Sequence, residues 1–399
     1  MHFLVILGPV LLGLIGFAVD LGMLYSAKGE LKTGASAMAL AAAQQLIGTD
    51  AAATAAGTAA QITSNNYYFN GFPIGQTTGN LNSTVSDPEY SASLADALGG
   101  GGGGASSASS RYARVTVTGQ VQLLFWSLIP IVSDRRVTVQ TTALAGISAP
   151  LCQACSIEPF AVTPLDANDM TDFGFTRGTK YSFAYSCSGT PAPPLLSPGT
   201  QTVSYLLLNR WDQMSSFDES SQAFQDGAGG VPGSTNSAQA CFRINTSETI
   251  WVSATVNACT ATAVAATVAD SMCGMETRFE TPTAAVCSTI SNIDTLTSIY
   301  PADTDIMDHD VYSDYTGAGR RVITIPVVDQ LSASDSMMVL GFRQFLVIPS
   351  QATQSSVDPT DRYGRFVAMY IGSVVPVKQG RLDGCQQPPA GPGKVVLHL

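Results

Sequence analysis

Charge is scarce along this chain. Asp, Glu, Lys and Arg make up 12% of its 399 residues, about half the share usual for a soluble cytosolic domain. Positive charge is the scarcer sign, with 19 Lys and Arg against 30 Asp and Glu and a net charge of -11. Nucleic acid is bound by neutralising its phosphates with Lys and Arg, so a nucleic-acid partner is excluded. Histidine is nearly missing: of His2, His309 and His398, His309 alone falls inside the presumed globular region. A Ser-His-Asp or Cys-His site would have to use it, and no Gly-x-Ser-x-Gly elbow accompanies it. The sequence therefore reads as a non-enzyme with no catalytic residue to nominate. Cysteine is absent from the first 150 residues, after which come Cys152, Cys155, Cys187, Cys241, Cys259, Cys273, Cys287 and Cys385. An even set in a low-charge chain points to an oxidising compartment and makes all eight disulfide candidates, against the competing reading of buried free thiols. Cys152 and Cys155 have redox or zinc spacing, but neither a second such pair nor a nearby histidine supports that chemistry.

A long apolar run is present at the amino-terminal side. Phe3 to Val19 is apolar throughout, broken only by Gly8, Pro9, Gly13 and Gly16, and Leu21 to Tyr25 continues it past Asp20. Seventeen to twenty-three residues rising about 1.5 Å each cross a bilayer core of roughly 30 Å. The run exceeds the apolar core of a signal peptide, and no small-x-small cleavage site precedes Lys28, so a retained single-pass span is expected. Because long domains translocate regardless of flanking charge and the cysteines require an oxidising side, the orientation is N-inside, C-outside. Lys28 to Ile62 is dominated by Ala and contains no Pro. The span should therefore run on as one helical rod to about residue 65, roughly 90 Å long. Its small residues suit close packing. Asp20 is either a solvated headgroup-level carboxylate or the partner of a cation on another subunit that fixes axial register.

Tyr67 to Ser93 reads as loop with at most one short strand, and Gly99 to Gly104 as a flexible connection. Arg111 to Thr118 and Arg136 to Ala143 alternate as a half-buried strand pair. Between them Val121 to Val132 is apolar almost throughout, with Phe125 and Trp126 near its start. It is too short to span a membrane, so it covers the rod, touches the interface or meets a partner. From residue 156 short strands are expected at Tyr181–Tyr185, Thr202–Leu208, Ile250–Thr255, Val322–Val328, Met337–Ile348 and Arg365–Val377, with a helix at Val264–Met272. The fold class is α+β: a long amino-terminal pilin-like transmembrane helix followed by a β-rich, sandwich-like extracytoplasmic region. Three segments are drawn: 1–65, the membrane and Ala-rich rod; 66–150, loop, glycine linker and strand pair; 151–399, a disulfide-bonded β-rich domain. No cofactor is called for, with one exception to weigh. Asp303, Asp305, Asp308, Asp310 and Asp314 supply five carboxylates in a short loop that could hold calcium, although the spacing departs from the EF-hand. Asp166, Asp169 and Asp172 form a sparser version.

The stretch from Leu11 to Ala43, with its Gly16-Phe17-Ala18-Val19-Asp20-Leu21-Gly22 core followed by Tyr25, Leu31 and an Ala-rich run, resembles the amino-terminal signature of TadE/TadG-like proteins of the tight-adherence (Flp) pilus machinery. The strand pair around Val115 to Val117 and Arg136 to Ala145, with the Phe125 to Ile131 insertion, is similar to the segment after the helix in TadG-like chains. Ile325 to Asp329 with Gly341, Phe342 and Phe345 resembles their carboxy-terminal strands. A von Willebrand A-type Asp-x-Ser-x-Ser motif is not met, since the serines of Asp329 to Ser334 fall at the wrong offset. The resemblance implies a bacterial inner-membrane protein with a periplasmic or extracellular region, with incorporation in a surface filament as one option. It implies a structural component of a pilus-type assembly, a minor pseudopilin or an assembly or anchoring factor. Its partners would be membrane lipid and other pilus or pseudopilin subunits, including copies of itself. Gly16, Ala18, Asp20, Gly22, Phe125 and Trp126 are then the candidate helix-packing or assembly residues. The rival readings are a main filament-forming subunit and a calcium-dependent surface adhesin.

Overall fold

The computed structural model describes the chain apart from residues 1, 76, 79–80, 101–105, 126–135, 156, 159, 187–191, 196–199, 208–240, 245–265, 290–301, 304, 306–310, 317–319, 332–336, 349–356, 378, 383–390 and 399. It divides into two compact units, Met1–Ile147 with Val395–Leu399, and Ser148–Lys394. The fold is mixed α+β, a long apolar helix followed by a β-rich region.

The first unit is built on helix α1, His2–Gln44. Its 43 residues make it about 65 Å long at 1.5 Å per residue. The single rod expected to reach residue 65 is instead two helices. After Gln44 the chain turns through Gly48, whose φ of 86° suits glycine, and restarts as α2, Ala52–Ser64. Ala52, Ala56 and Ala60 of α2 are buried in the same core as Ala39, Ala42 and Ala43 of α1. Side chains of one carbon let the two helices lie close together. A third helix, α3 at Leu94–Gly99, opens on Ser93, whose hydroxyl accepts from the Asp96 N–H at 3.2 Å, and closes on Gly100 at φ 74°.

The segment after α2 holds more strand than its composition suggested: β1 Tyr68–Phe69, β2 Phe72–Pro73, β3 Thr77–Thr78, β4 Leu81–Val85 and β5 Glu89–Ser91. The long hairpin β6, Tyr112–Gln122, and β7, Arg136–Ile147, dominates the sheet. Its order is Val395–Leu397, β7, β6, β4, β3, with β5 also on β6. Strand β6 alternates without a break, turning Ala113, Val115, Val117 and Val121 inward. That face meets a stripe on α1 at helical spacing, Gly16, Asp20, Ala27, Leu31, Ala35, Met38 and Ala42, all buried. Helix and strand pair, which the sequence assigned to separate segments, therefore share one core. A Cβ on Gly119 would stand 3.1 Å from Leu31, and one on Gly16 2.7 Å from Phe125. The hairpin thus runs back down α1 from its Ala-rich end toward its apolar end.

The second unit contains β8 Gln153–Cys155, β9 Phe160–Val162, β10 Lys180–Tyr185, β11 Gln201–Leu207, β12 Cys241–Arg243, β13 Val322–Val328, β14 Val339–Val347, β15 Phe366–Gly372 and β16 Gln379–Arg381. Six of these close into a barrel in the order β10, β11, β9, β13, β14, β15, while β12, β8 and β16 form a small sheet. The pairs β10/β11 and β9/β13 are parallel, and the other barrel pairs are antiparallel. Phe183 stacks on Phe366 with centroids 5.0 Å apart, and Phe175 meets Tyr181 and Phe345 edge-on. These rings fill the centre, as side chains do in barrels of few strands. Helix α4, Ala266–Glu276, buries Val268, Met272 and Met275 in the same core. The strand expected at Ile250–Thr255 lies outside the described residues.

Candidate assembly site on the amino-terminal helix

Three of the six residues singled out for helix packing come together, across 105 positions of sequence. Gly16 and Asp20 lie one turn apart on α1, and both face the end of β6. The absent side chain of Gly16 is what admits the Phe125 ring, since a Cβ there would overlap it. Asp20 is only 4% exposed. Its Oδ1 accepts the Leu124 N–H at 2.9 Å, and the Phe125 N–H reaches Oδ1 at 3.2 Å and Oδ2 at 3.1 Å. The carboxylate is buried rather than at a solvated surface, and two backbone N–H groups of its own chain donate to it. Charge-assisted bonds of this kind are the stronger class of hydrogen bond, and they satisfy two backbone donors just past the end of β6.

Ala18 and Gly22 lie on the other side of the helix and are exposed. A Cβ on Gly22 would meet nothing within 4 Å. Around them Leu12, Leu14, Ile15, Phe17, Val19 and Leu21 are also exposed. Within α1, residues Leu11–Gln44 include a stretch long and apolar enough to cross a membrane. Trp126 lies outside the described residues. Leu124 was not among the residues picked from sequence. Its backbone N–H is the contributing group, and a side-chain pattern carries no sign of that.

Among the candidate cysteines, Cys273 and Cys287 are bonded to each other, fastening α4 to the 3-10 turn Cys287–Thr289. Cys152 is also disulfide-bonded. Cys155 and Cys241 stand opposite each other in the register of β8 and β12. Cys187, Cys259 and Cys385 lie outside the described residues. The proposed calcium ligands have other engagements. Asp303 is buried, accepts the Tyr315 hydroxyl and sits 3.5 Å from Arg321 Nε. Burial, and then the Asp303 charge, push the Tyr315 hydroxyl pKa far above its usual value. Asp305 accepts the N–H and hydroxyl of Thr316. Asp314 accepts from Ser313 at 3.3 Å, while Asp308 and Asp310 lie outside the described residues. Among the described residues no group of three or more His, Cys, Asp or Glu is placed to hold a metal ion. In the sparser acidic loop, Asp169 accepts the N–H groups of Gly174, Asp172 and Thr171, which hold its pKa below the usual carboxylate range. Asp172 accepts the Tyr370 hydroxyl.

The comparison with known families bears on α1. Residues 2–45 match the model of the putative Flp pilus-assembly TadE/G-like family. The TadE/G-like segment coincides with α1 and so contains Gly16, Ala18, Asp20 and Gly22. No curated protein and no solved structure matches the chain.

Proposed function

We propose that the chain is a structural component of a bacterial pilus-type assembly, a minor pseudopilin or an anchoring factor rather than the filament's main subunit. The observation that carries this reading is the coincidence of the TadE/G-like match with α1, whose exposed apolar surface has no partner among the described residues of its own unit. Ala18 and Gly22 give that surface a small-residue face on which another subunit's helix packs closely. The β-rich region lies on the periplasmic or extracellular side, in keeping with the bonded cysteines. The filled barrel supports a platform rather than a ligand container. Deleting the coding sequence in the native host should abolish or thin the surface filaments, and mass spectrometry of sheared filaments should find the chain in trace amounts or not at all. A chain that dominates the filament mass would instead be the main subunit. Unchanged filaments in the deletion strain would overturn the assembly role.

A further inference from the structure

The small hairpin of β1 and β2 carries exposed aromatic rings on either side of a tight polar turn. Tyr68 pairs with Pro73 and Phe69 with Phe72, around Asn70 and Gly71 at φ 49° and 82°. Positive φ at both central residues is what a two-residue hairpin turn requires, and Asn-Gly supplies it at least strain. Tyr68 and Phe72 are 58% and 43% exposed. Two inward side chains seat the hairpin on α1. Phe69 is buried where a Cβ on Gly119 would meet both it and Leu31, and Ile74 fills the space that a side chain on Gly34 would take. The turn lies at Glu30, whose carboxylate accepts the Asn70 N–H at 3.3 Å. From Gly34 at its stem to Glu30 at its turn, the hairpin therefore points toward the apolar end of α1.

Charge marks this height on the helix. After Asp20 the first charged residues of α1 are Lys28, Glu30 and Lys32, all exposed. Lys28 lies about 5 Å, and Glu30 about 8 Å, past Tyr25, where the apolar run ends. A headgroup layer adds about 5–8 Å outside the hydrocarbon on each side of a bilayer. With α1 as the span and the end of its apolar run at the hydrocarbon edge, the turn meets the outer part of this layer. Tyr68 and Phe72 stand within two residues, about 7 Å, of Asn70. Tyr25, 82% exposed, marks the layer's inner edge. Rings with an apolar body and a polar tip favour that level, and lysines there keep their ammonium groups among the phosphates. The hairpin is also separate from the small-residue face of α1. At about 100° per residue, Gly34 beneath it stands about 160° round the helix from Ala18 and about 120° from Gly22.

We propose that the β1–β2 hairpin is an interfacial anchor, whose Tyr68 and Phe72 enter the lipid headgroup layer beside α1 and, with Tyr25, Lys28 and Lys32, fix the depth of the span. The occupant is the headgroup layer, because the rings flank a polar turn at the height of the first cations of α1. That mixture of apolar surface, hydrogen-bonding groups and positive charge complements a layer of phosphates over hydrocarbon. The proposal rests on α1 being a membrane span.

The test places a fluorescent amino acid at position 72, 17 or 98 of the full chain, reconstituted in phosphatidylethanolamine and phosphatidylglycerol vesicles that carry a nitroxide either on the headgroup or midway down the acyl chain. Phe17 is exposed within the apolar run. Leu98 is an exposed apolar control beside Gly100, where a Cβ would meet Arg114, five residues along β6 from Gly119 and away from the turn. The headgroup nitroxide should quench emission at 72 and leave 98 unquenched, and the acyl nitroxide should quench 17. Tyr68→Ser should reduce the headgroup quenching at 72 and leave the acyl quenching at 17 unchanged. Quenching at 17 with none at 72 would overturn the proposal and leave the span intact. Emission at 72 that ignores the headgroup label but shifts when the protein is diluted in lipid would also overturn it, marking a contact between copies. No acyl quenching at 17 would overturn both the proposal and the span.

Discussion

Individual charged groups in the second unit are held under conditions that make their removal measurable. Glu158 and Arg278 form an ion pair at 2.5 Å, with both side chains almost entirely buried. Removing one member of such a pair strands the other charge, so Glu158→Leu should destabilise the unit by about 3–5 kcal/mol in urea unfolding. The double variant Glu158→Leu/Arg278→Met should recover most of that loss. Equal instability in the single and double variants would show that the pair's charges were not the cause. Glu276 differs because its near neighbours add to its burden. Burial, and then the neighbouring Glu280 and Asp358 charges, raise its pKa from 4.5 to about 7. The folded protein therefore binds a proton between these values that the unfolded chain releases. This group's contribution to stability is complete below pH 4.5 and is lost as pH rises through about 7. Glu276→Gln should flatten the stability profile across that window and make the variant the more stable form at about pH 8, above the folded-state value. An unchanged slope would assign the pH dependence to other groups.

Among the elements, the disulfide between Cys273 and Cys287 fastens α4, which packs against the barrel core. The bridge closes a loop of 14 residues, so the variant Cys273→Ala/Cys287→Ala should lose about 3 kcal/mol. The loss should appear in the second unit's unfolding transition, while amide exchange in β6 and β7 remains unchanged. The longer elements were legible in sequence, since α1 combines an apolar run with Ala and β6 alternates at every position, whereas the two- to five-residue strands β1–β5, β8, β9, β12 and β16 were not. Gly48-Thr49-Asp50 is a turn signal, yet the Ala-rich composition on both sides hid the break between α1 and α2. Closure of the barrel was not legible. Parallel pairing of β10 with β11 and of β9 with β13 depends on partners that no strand's own pattern specifies. Likewise Gly16, Asp20 and Phe125 drew attention singly, through a glycine in an apolar helix, a lone carboxylate and an apolar insertion. Nothing local records that they meet.

At the scale of the whole molecule, the strand Val395–Leu397 belongs to the unit that contains α1. It pairs with β7 at Ala145, Gly146 and Ile147, and the His398 N–H adds a bond to the Leu144 carbonyl at 2.8 Å. Deleting residues 395–399 should raise amide exchange at 144–147 while leaving β13, β14 and β15 protected. Loss of protection in both units would show that they do not unfold independently. This return of the chain also orders its biogenesis. Residues 148–394 emerge from the ribosome between the two strands. At synthesis rates of roughly 5–20 residues per second, this separates β7 from its last neighbour by about 12–50 seconds. Throughout that interval one side of β7 is an open sheet edge, able to recruit a foreign strand, while α1, β6 and β7 are already complete. A chaperone that shields sheet edges has its window here, and the window closes when residue 397 arrives.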